Sequence, residues 1–245
     1  MKVVSYTALH YGADYLGWAI RSVIDHVDEH VILYSDVGSH GHQTDRVCPD
    51  SRETLYQIAQ QAAGDKLRWI DGHWPYEGAQ RDAVHEVVPD ADVILVVDAD
   101  EIWPTYPIKF DPQSNSPIFQ RHSWRVPIIH YWRSFYRCVL HDPAYPIRII
   151  CPKVPESAGT DTTGGVINHM GYAQRAALVE YKQHVHGHKG EWRRDDWFHK
   201  VFMANAQRNC HPVGSEYWNP EPVDPWQYMP AFMKDHPYAN LEVIG

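Results

Sequence analysis

Apolar positions fall into short runs set off by polar, glycine-bearing or proline-bearing stretches. Five consecutive aliphatic residues, 93–97, run straight into Asp98, Asp100 and Glu101. A run so short and so rich in β-branched residues predicts a strand buried on both faces, as inside a parallel sheet. Upstream, residues 2–7, 31–34 and 67–70 predict three further strands. Between them the pattern changes to a helical period. Residues 15–26 place Leu16, Ala19, Ile20, Val23, Ile24 and Val27 on one face, with Asp14 as the expected N-cap. Ser51 caps a second helix ended by Gly64, and 77–88 predicts a third that carries Gln80 and Arg81. The order β-α-β-α-β-α-β predicts a Rossmann-like three-layer α/β/α fold with a central, mostly parallel sheet and right-handed crossovers.

After Glu101 the pattern changes. Prolines at 104, 107, 112 and 117 exclude a long helix there. Residues 124–132, 135–140 and 147–151, the last carrying Arg148, predict strands that are partly antiparallel additions. A small polar loop spans 157–165. A helix is expected over 174–185, with His184, His186 and His188 alternating at its end, and another over 196–208. From Pro212 the chain is rich in Pro, Trp and Tyr, too aromatic for a free linker, and is expected to lie across the domain. The plan is one domain with a tail: 1–105 as a ligand-binding half, 106–211 as the facing half, and 212–245 as the packed tail.

Composition narrows the function classes. The 245 residues are 44% hydrophobic, enough for one substantial core. No run approaches the length of a membrane span, and the chain enters a strand at once, so no signal peptide is expected. The four cysteines show no Cys-x-x-Cys spacing, which predicts a reduced, cytoplasmic chain without structural zinc. The net charge of −9 argues against broad binding to nucleic acid or anionic lipid.

Candidate chemistry gathers at strand ends, where open α/β sheets carry their sites. Asp98 and Asp100 project to one side of the central strand's end. Two adjacent carboxylates repel unless a cation lies between them, and a hard divalent ion such as Mg²⁺ or Mn²⁺ takes one or two carboxylates plus substrate phosphates. Asp36 ends the second strand on the same edge, where it could accept hydrogen bonds from a nucleobase or ribose.

Taken together, the opening strand, the Asp36 turn, the Glu77-x-x-Gln80–Arg81 helix, the Val-Asp98-Ala-Asp100-Glu101 segment and the later Ile-Asn-His169-Met-Gly-Tyr-Ala resemble the GT-A nucleotide-sugar glycosyltransferases, in their family 2-like branch. The resemblance implies a UDP-linked sugar donor and a Mn²⁺ or Mg²⁺ ion. It places Thr7, Asp36, Arg81, Asp98 and Asp100 along the donor, with Asp98, Asp100 and His169 as metal contacts. It implies transfer to a hydroxyl acceptor, leaning to inversion. The acceptor would be a glycan or lipopolysaccharide precursor or a hydroxylated nucleobase in DNA, the last disfavoured by net charge. The Glu-Asp pair that supplies the family's general base is missing, and Asp195, Asp196 and Glu101 are the nearest candidates. A nucleotidyltransferase on a similar scaffold lacks its Gly-rich N-terminal signature here. A non-catalytic carbohydrate- or metal-binding protein would draw on the 17 His, 10 Trp and 15 Tyr.

Overall fold

The computed structural model describes residues 1–38, 44–104, 117–140, 142, 145–185, 191, 196–214 and 218–244. Its first four strands are β1 (Val3–Leu9), β2 (Glu29–Ser35), β3 (Leu67–Gly72) and β4 (Val93–Val96). They pair in parallel in the order β3-β2-β1-β4. Alternate side chains sort into two faces. Val4, Tyr6, Val31, Leu33, Ile94 and Val96 pack with Val84 and Val88 on one side. Leu9 and Ile32 meet Leu16, Ile20, Leu55 and Ala59 on the other. Those partners lie on or beside helices α1 (Leu16–Arg21), α2 (Arg52–Ala63), α3 (Glu77–Asp82) and α4 (Val84–Val87). The result is the expected three-layer α/β arrangement.

Ser51 caps α2 as expected, its hydroxyl accepting from the Thr54 N–H, and Gly64 ends that helix at φ 57, a conformation glycine adopts without a Cβ penalty. The first helix differs. It stops at Arg21, and no side chain caps it. Asp14 is drawn away: its carboxylate accepts from the Arg175 backbone and the Tyr238 hydroxyl and pairs with the Arg175 guanidinium.

The second half departs further. The run read as one strand over 124–132 divides at Val126–Pro127 into β6 (Ser123–Arg125) and β7 (Ile128–Trp132), which follow β5 (Glu101–Ile102) and belong to different sheets. Proline removes the ladder donor at the break. Next come β8 (Arg137–Val139), β9 (Ile147–Ile150), β10 (Thr160–Thr162), β11 (Ile167–Tyr172), α5 (Ala176–Val185) and β12 (Glu221–Pro222). The polar loop thus contains a short exposed edge strand, β10. Strand β9 pairs antiparallel beside β4, extending the first sheet to seven strands, still mostly parallel. A second sheet, β12-β8-β7-β11-β5, stands against it. Its aromatic core joins Trp132, Tyr172, Trp197, Phe202 and Trp218. The helix expected over 196–208 is a single π-helical stretch, Phe198–Met203. The tail lies across the domain in two 3₁₀ turns, Pro225–Gln227 and Ala231–Asp235. His236 bonds the Asp14 carbonyl, and the Ile244 N–H reaches the Arg133 carbonyl.

Candidate active site

The two sheets meet at the end of β4. The chain leaves that strand through Asp98–Ala99–Asp100 and enters β5, which pairs antiparallel with β11 so that Glu101 lies opposite His169. Strand β11 in turn runs parallel to β7, bringing His169 level with His130. A cleft of about 360 Å³ opens at this junction. Its near wall is His10, Tyr11 and Gly12 after β1, Val37 after β2, and Glu77, Gln80 and Arg81 on α3. Its floor is Asp98, Ala99 and Asp100, and its far wall includes His130, His169, Tyr172, Lys182, His211 and Trp218.

Several of these are held from behind. Gln80 is buried, and its amide donates to the carbonyls of Leu33 (2.7 Å) and Leu9 (3.3 Å), tying α3 to two strand ends. The buried Asp50 carboxylate accepts from the backbone of Gly12 (2.7 Å) and Ala13 (2.9 Å), and it pairs with Arg175. At Gly12 φ is 131 and a Cβ would strike Ala99, so the near wall can lie against the floor only with glycine there.

The two aspartates of the floor stand in different surroundings. Asp98 Oδ1 lies 2.8 Å from Arg81 Nη2, and Asp98 Oδ2 accepts from Arg148 Nη2 at 2.7 Å. Burial opposes its charge, but the two guanidiniums outweigh burial and hold its carboxyl well below the ordinary value. Asp100 has Lys182 Nζ 3.4 Å from Oδ2 and His169 Nε2 3.6 Å from Oδ1. Burial again works against ionisation, while Lys182 and His169 bring the carboxyl below its usual value.

The remaining expected residues divide. Arg81 and His169 line the cleft with Asp98 and Asp100. Thr7 does not: it is fully buried, its hydroxyl donated to the Val97 carbonyl at 2.6 Å, and its neighbour Ala8 reaches the cleft instead. Asp36 turns outward beside His73, its side chain 78% exposed, and Val37 takes the place at the wall. Glu101 is corrected from candidate base to buried strut. It is 1% exposed and bonded to Arg148 at 2.5 and 3.1 Å. Burial raises its carboxyl to about 7 although Arg148 opposes the rise. Arg148 itself bridges Asp98 and Glu101 rather than facing the cleft. Asp196 is half-buried, its carbonyl accepting from the Lys200 N–H, and it is not among the cleft-lining residues. Asp195, His186 and His188 lie outside the described residues.

The three-residue metal set is also corrected. Among the described residues no group of three or more His, Cys, Asp or Glu side chains is gathered around a common point, because Asp98 is turned onto two arginines. Asp100 and His169 still fit a divalent ion as a pair. Their facing atoms are too far apart for a hydrogen bond, and one is a carboxylate oxygen and the other an imidazole nitrogen, a donor set suited to Mn²⁺.

Sequence reasoning missed His130, Gln174 and His211 on the wall, whereas Trp218 belongs to the aromatic tail expected to lie across the domain. His130 had a signal: it interrupts the apolar run Ile128–Trp132 on the same face as Ile128 and Trp132.

No family model matches this chain, and no curated protein matches it. Among solved structures, the glycosyltransferase GlyE of Streptococcus pneumoniae TIGR4 aligns at 15% identity with a TM-score of 0.35, over 62% of this chain and 35% of that one. The chain thus spans about a third of GlyE's length. A UDP-glucose pyrophosphorylase complexed with UDP-glucose aligns at 10% identity and a TM-score of 0.29, over 69% of this chain and 74% of that one. Among the described residues no helix is long and apolar enough to cross a membrane.

Proposed function

We propose that this chain is a metal-dependent glycosyltransferase that moves a sugar from a UDP-linked donor to a hydroxyl acceptor. The observation that carries the reading is the floor of the cleft: two aspartates at the end of the central strand, one neutralised by arginines and one facing an imidazole across an open gap. Asp100 and His169 would hold a Mn²⁺ or Mg²⁺ ion. Bound there, the ion would act as a Lewis acid on a diphosphate leaving group. Arg81 and Lys182 flank the floor, where a leaving diphosphate would gain charge. Gln80 and Asp50 hold the near wall in place for the nucleotide, and residues 1–105 form the donor half. The far wall would receive the acceptor, a glycan or lipopolysaccharide precursor or a hydroxylated nucleobase. Asp195 remains the proposed source of the general base.

The test is a panel of nucleotide sugars and nucleoside diphosphates, each with Mn²⁺, Mg²⁺ or EDTA, on the wild type and on Asp100→Ala. One nucleoside diphosphate with metal should raise Tm by about 5 °C at saturating ligand. Slow hydrolysis of the matching donor should accompany it, and both should vanish in the variant. With a nucleoside triphosphate and a sugar 1-phosphate added to the panel, release of pyrophosphate with formation of the nucleotide sugar would assign a nucleotidyltransferase. Indifference to every nucleotide would end the proposal.

A further inference from the structure

From the cleft floor through its far wall, four side chains form a line that no motif announces. Asp100 Oδ1 faces His169 Nε2 at 3.6 Å, and His169 Nδ1 meets His130 Nδ1 at 2.8 Å. His130 Nε2 faces Asp142 Oδ2 at 3.4 Å, and the same oxygen accepts from Trp218 Nε1 at 2.9 Å. The imidazoles stand edge to face, with centroids 4.9 Å apart.

Counting protons along this line fixes its polarity. A neutral imidazole carries one N–H and one lone pair. The short contact between the two Nδ1 atoms needs one proton, since two lone pairs at that distance would repel. If His169 supplies it, His130 keeps its own on Nε2, toward Asp142, and His169 Nε2 is bare. If His130 supplies it, the bare nitrogen is His130 Nε2 and the proton faces Asp100. A neutral pair therefore leaves one carboxylate facing a lone pair. The two ends are unequal. His130 Nε2 is sealed from solvent, with no hydrogen-bond partner in ordinary range and Trp218 packed over the ring. A lone pair held there against a carboxylate, out of reach of water, would be costly. The Asp100 end opens on the cleft, and Lys182 already stands beside that carboxylate.

We propose that His130 and Asp142 are positioning residues that hold His169 as its Nδ1–H tautomer, so that its Nε2 lone pair faces Asp100 across the cleft floor as a ligand for a divalent cation. The inference rests on the metal part of the proposed function and adds the outer partners that set the ligand's tautomer and orientation.

Two measurements on the full chain test it. In the first, ¹⁵N-histidine spectra of the metal-free protein, assigned with His169→Gln and His130→Asn, should show His169 protonated on Nδ1 and His130 on Nε2. The opposite pair of tautomers would overturn the proposal. In the second, Mn²⁺ alone is titrated by electron paramagnetic resonance. His130→Leu, which removes the accepting nitrogen, should weaken Mn²⁺ binding by about 10- to 100-fold. His130→Asn, which returns an accepting oxygen near the Nδ1 position, should recover most of that loss, as a merely space-filling role would not. Equal Mn²⁺ affinity in wild type and His130→Leu would overturn this inference and leave the metal reading intact. Absence of Mn²⁺ binding to the wild type would overturn both.

Discussion

Arg148 and Arg133 are both largely buried, one beside each of the two sheets, and they are compensated in opposite ways. Arg148, on β9 beside the parallel strands, lies between two carboxylates, Asp98 and Glu101. Arg133, at the end of β7, gives its N–H groups to carbonyls: Nη1 to Phe202 and Met203, and Nε and Nη2 to Ile244. The first arrangement concentrates opposing charges next to the cleft. The second is a backbone clasp, binding the π-helical stretch and the tail to the second sheet. The half that carries the aspartates is organised by charge at strand ends, and the other by hydrogen bonds and aromatic packing within strands.

The largest expected effect breaks the charged arrangement. Arg148→Met leaves Asp98 and Glu101 facing each other with one cation fewer, and removing one partner of a buried ion pair typically costs about 3–5 kcal/mol. Urea unfolding should show a loss of that size. Arg133→Met leaves carbonyls short of donors but no unpaired charge, and should cost about 2 kcal/mol. Hydrogen exchange should then rise in residues 236–244 while β1 to β4 stay protected. If Arg133→Met proved as damaging as Arg148→Met, the contrast between charge and clasp would not hold.

The same contrast explains what could be read from the sequence. The first four strands were legible because each is an apolar run bounded by turn residues, with its neighbour one crossover helix away. That Asp98 and Asp100 lie at the cleft was legible because strand ends mark the edge of such a sheet, and the place of Arg81 came from the family resemblance. Thr7 misled because a hydroxyl near a strand end reads alike whether it faces a ligand or bonds inward to Val97. Glu101 misled because the chain enters β5 immediately after Asp100, turning that carboxylate into the protein. The second half hid more. His130, Asp142 and Trp218 are brought together by pairing between distant segments, and no spacing along the chain encodes that contact. The division of 124–132 between two sheets was marked only by Pro127.

A pH experiment probes the parallel half alone. His30 is fully buried between the Ser5 and Thr7 hydroxyls, and burial lowers its imidazole to about 3. Its folded value lies below the unfolded one, so below about pH 6.5 the unfolded chain binds a proton that the folded chain refuses. Stability from this group is complete above pH 6.5 and falls by about 1.4 kcal/mol per pH unit toward pH 3. His30→Gln should lose that share of the slope in unfolding measured from pH 7 to pH 5, whatever its effect at pH 7. A slope unchanged in the variant would mean that acid sensitivity arises elsewhere, including the second half.

The smallest expected change in stability is also the most selective for the junction between the halves. At Gly171 a Cβ would run into the His169 ring and approach Lys182 Nζ at 3.2 Å. Glycine here serves close approach: φ lies outside the left-handed region, so alanine suits the backbone. The strain of Gly171→Ala falls on the far edge of the imidazole, its Cε1 and Nε2, which can tilt away from the new methyl while Nδ1 keeps its contact with His130. Unfolding should therefore shift by about 1 kcal/mol or less. Mn²⁺ affinity should fall far more than stability does, because a ligand displaced by a fraction of an ångström no longer faces Asp100. Equal Mn²⁺ binding in Gly171→Ala and wild type would mean that the His169 ring is free to reseat itself. The line from Asp142 through His130 would then not hold the ring as firmly as its distances imply.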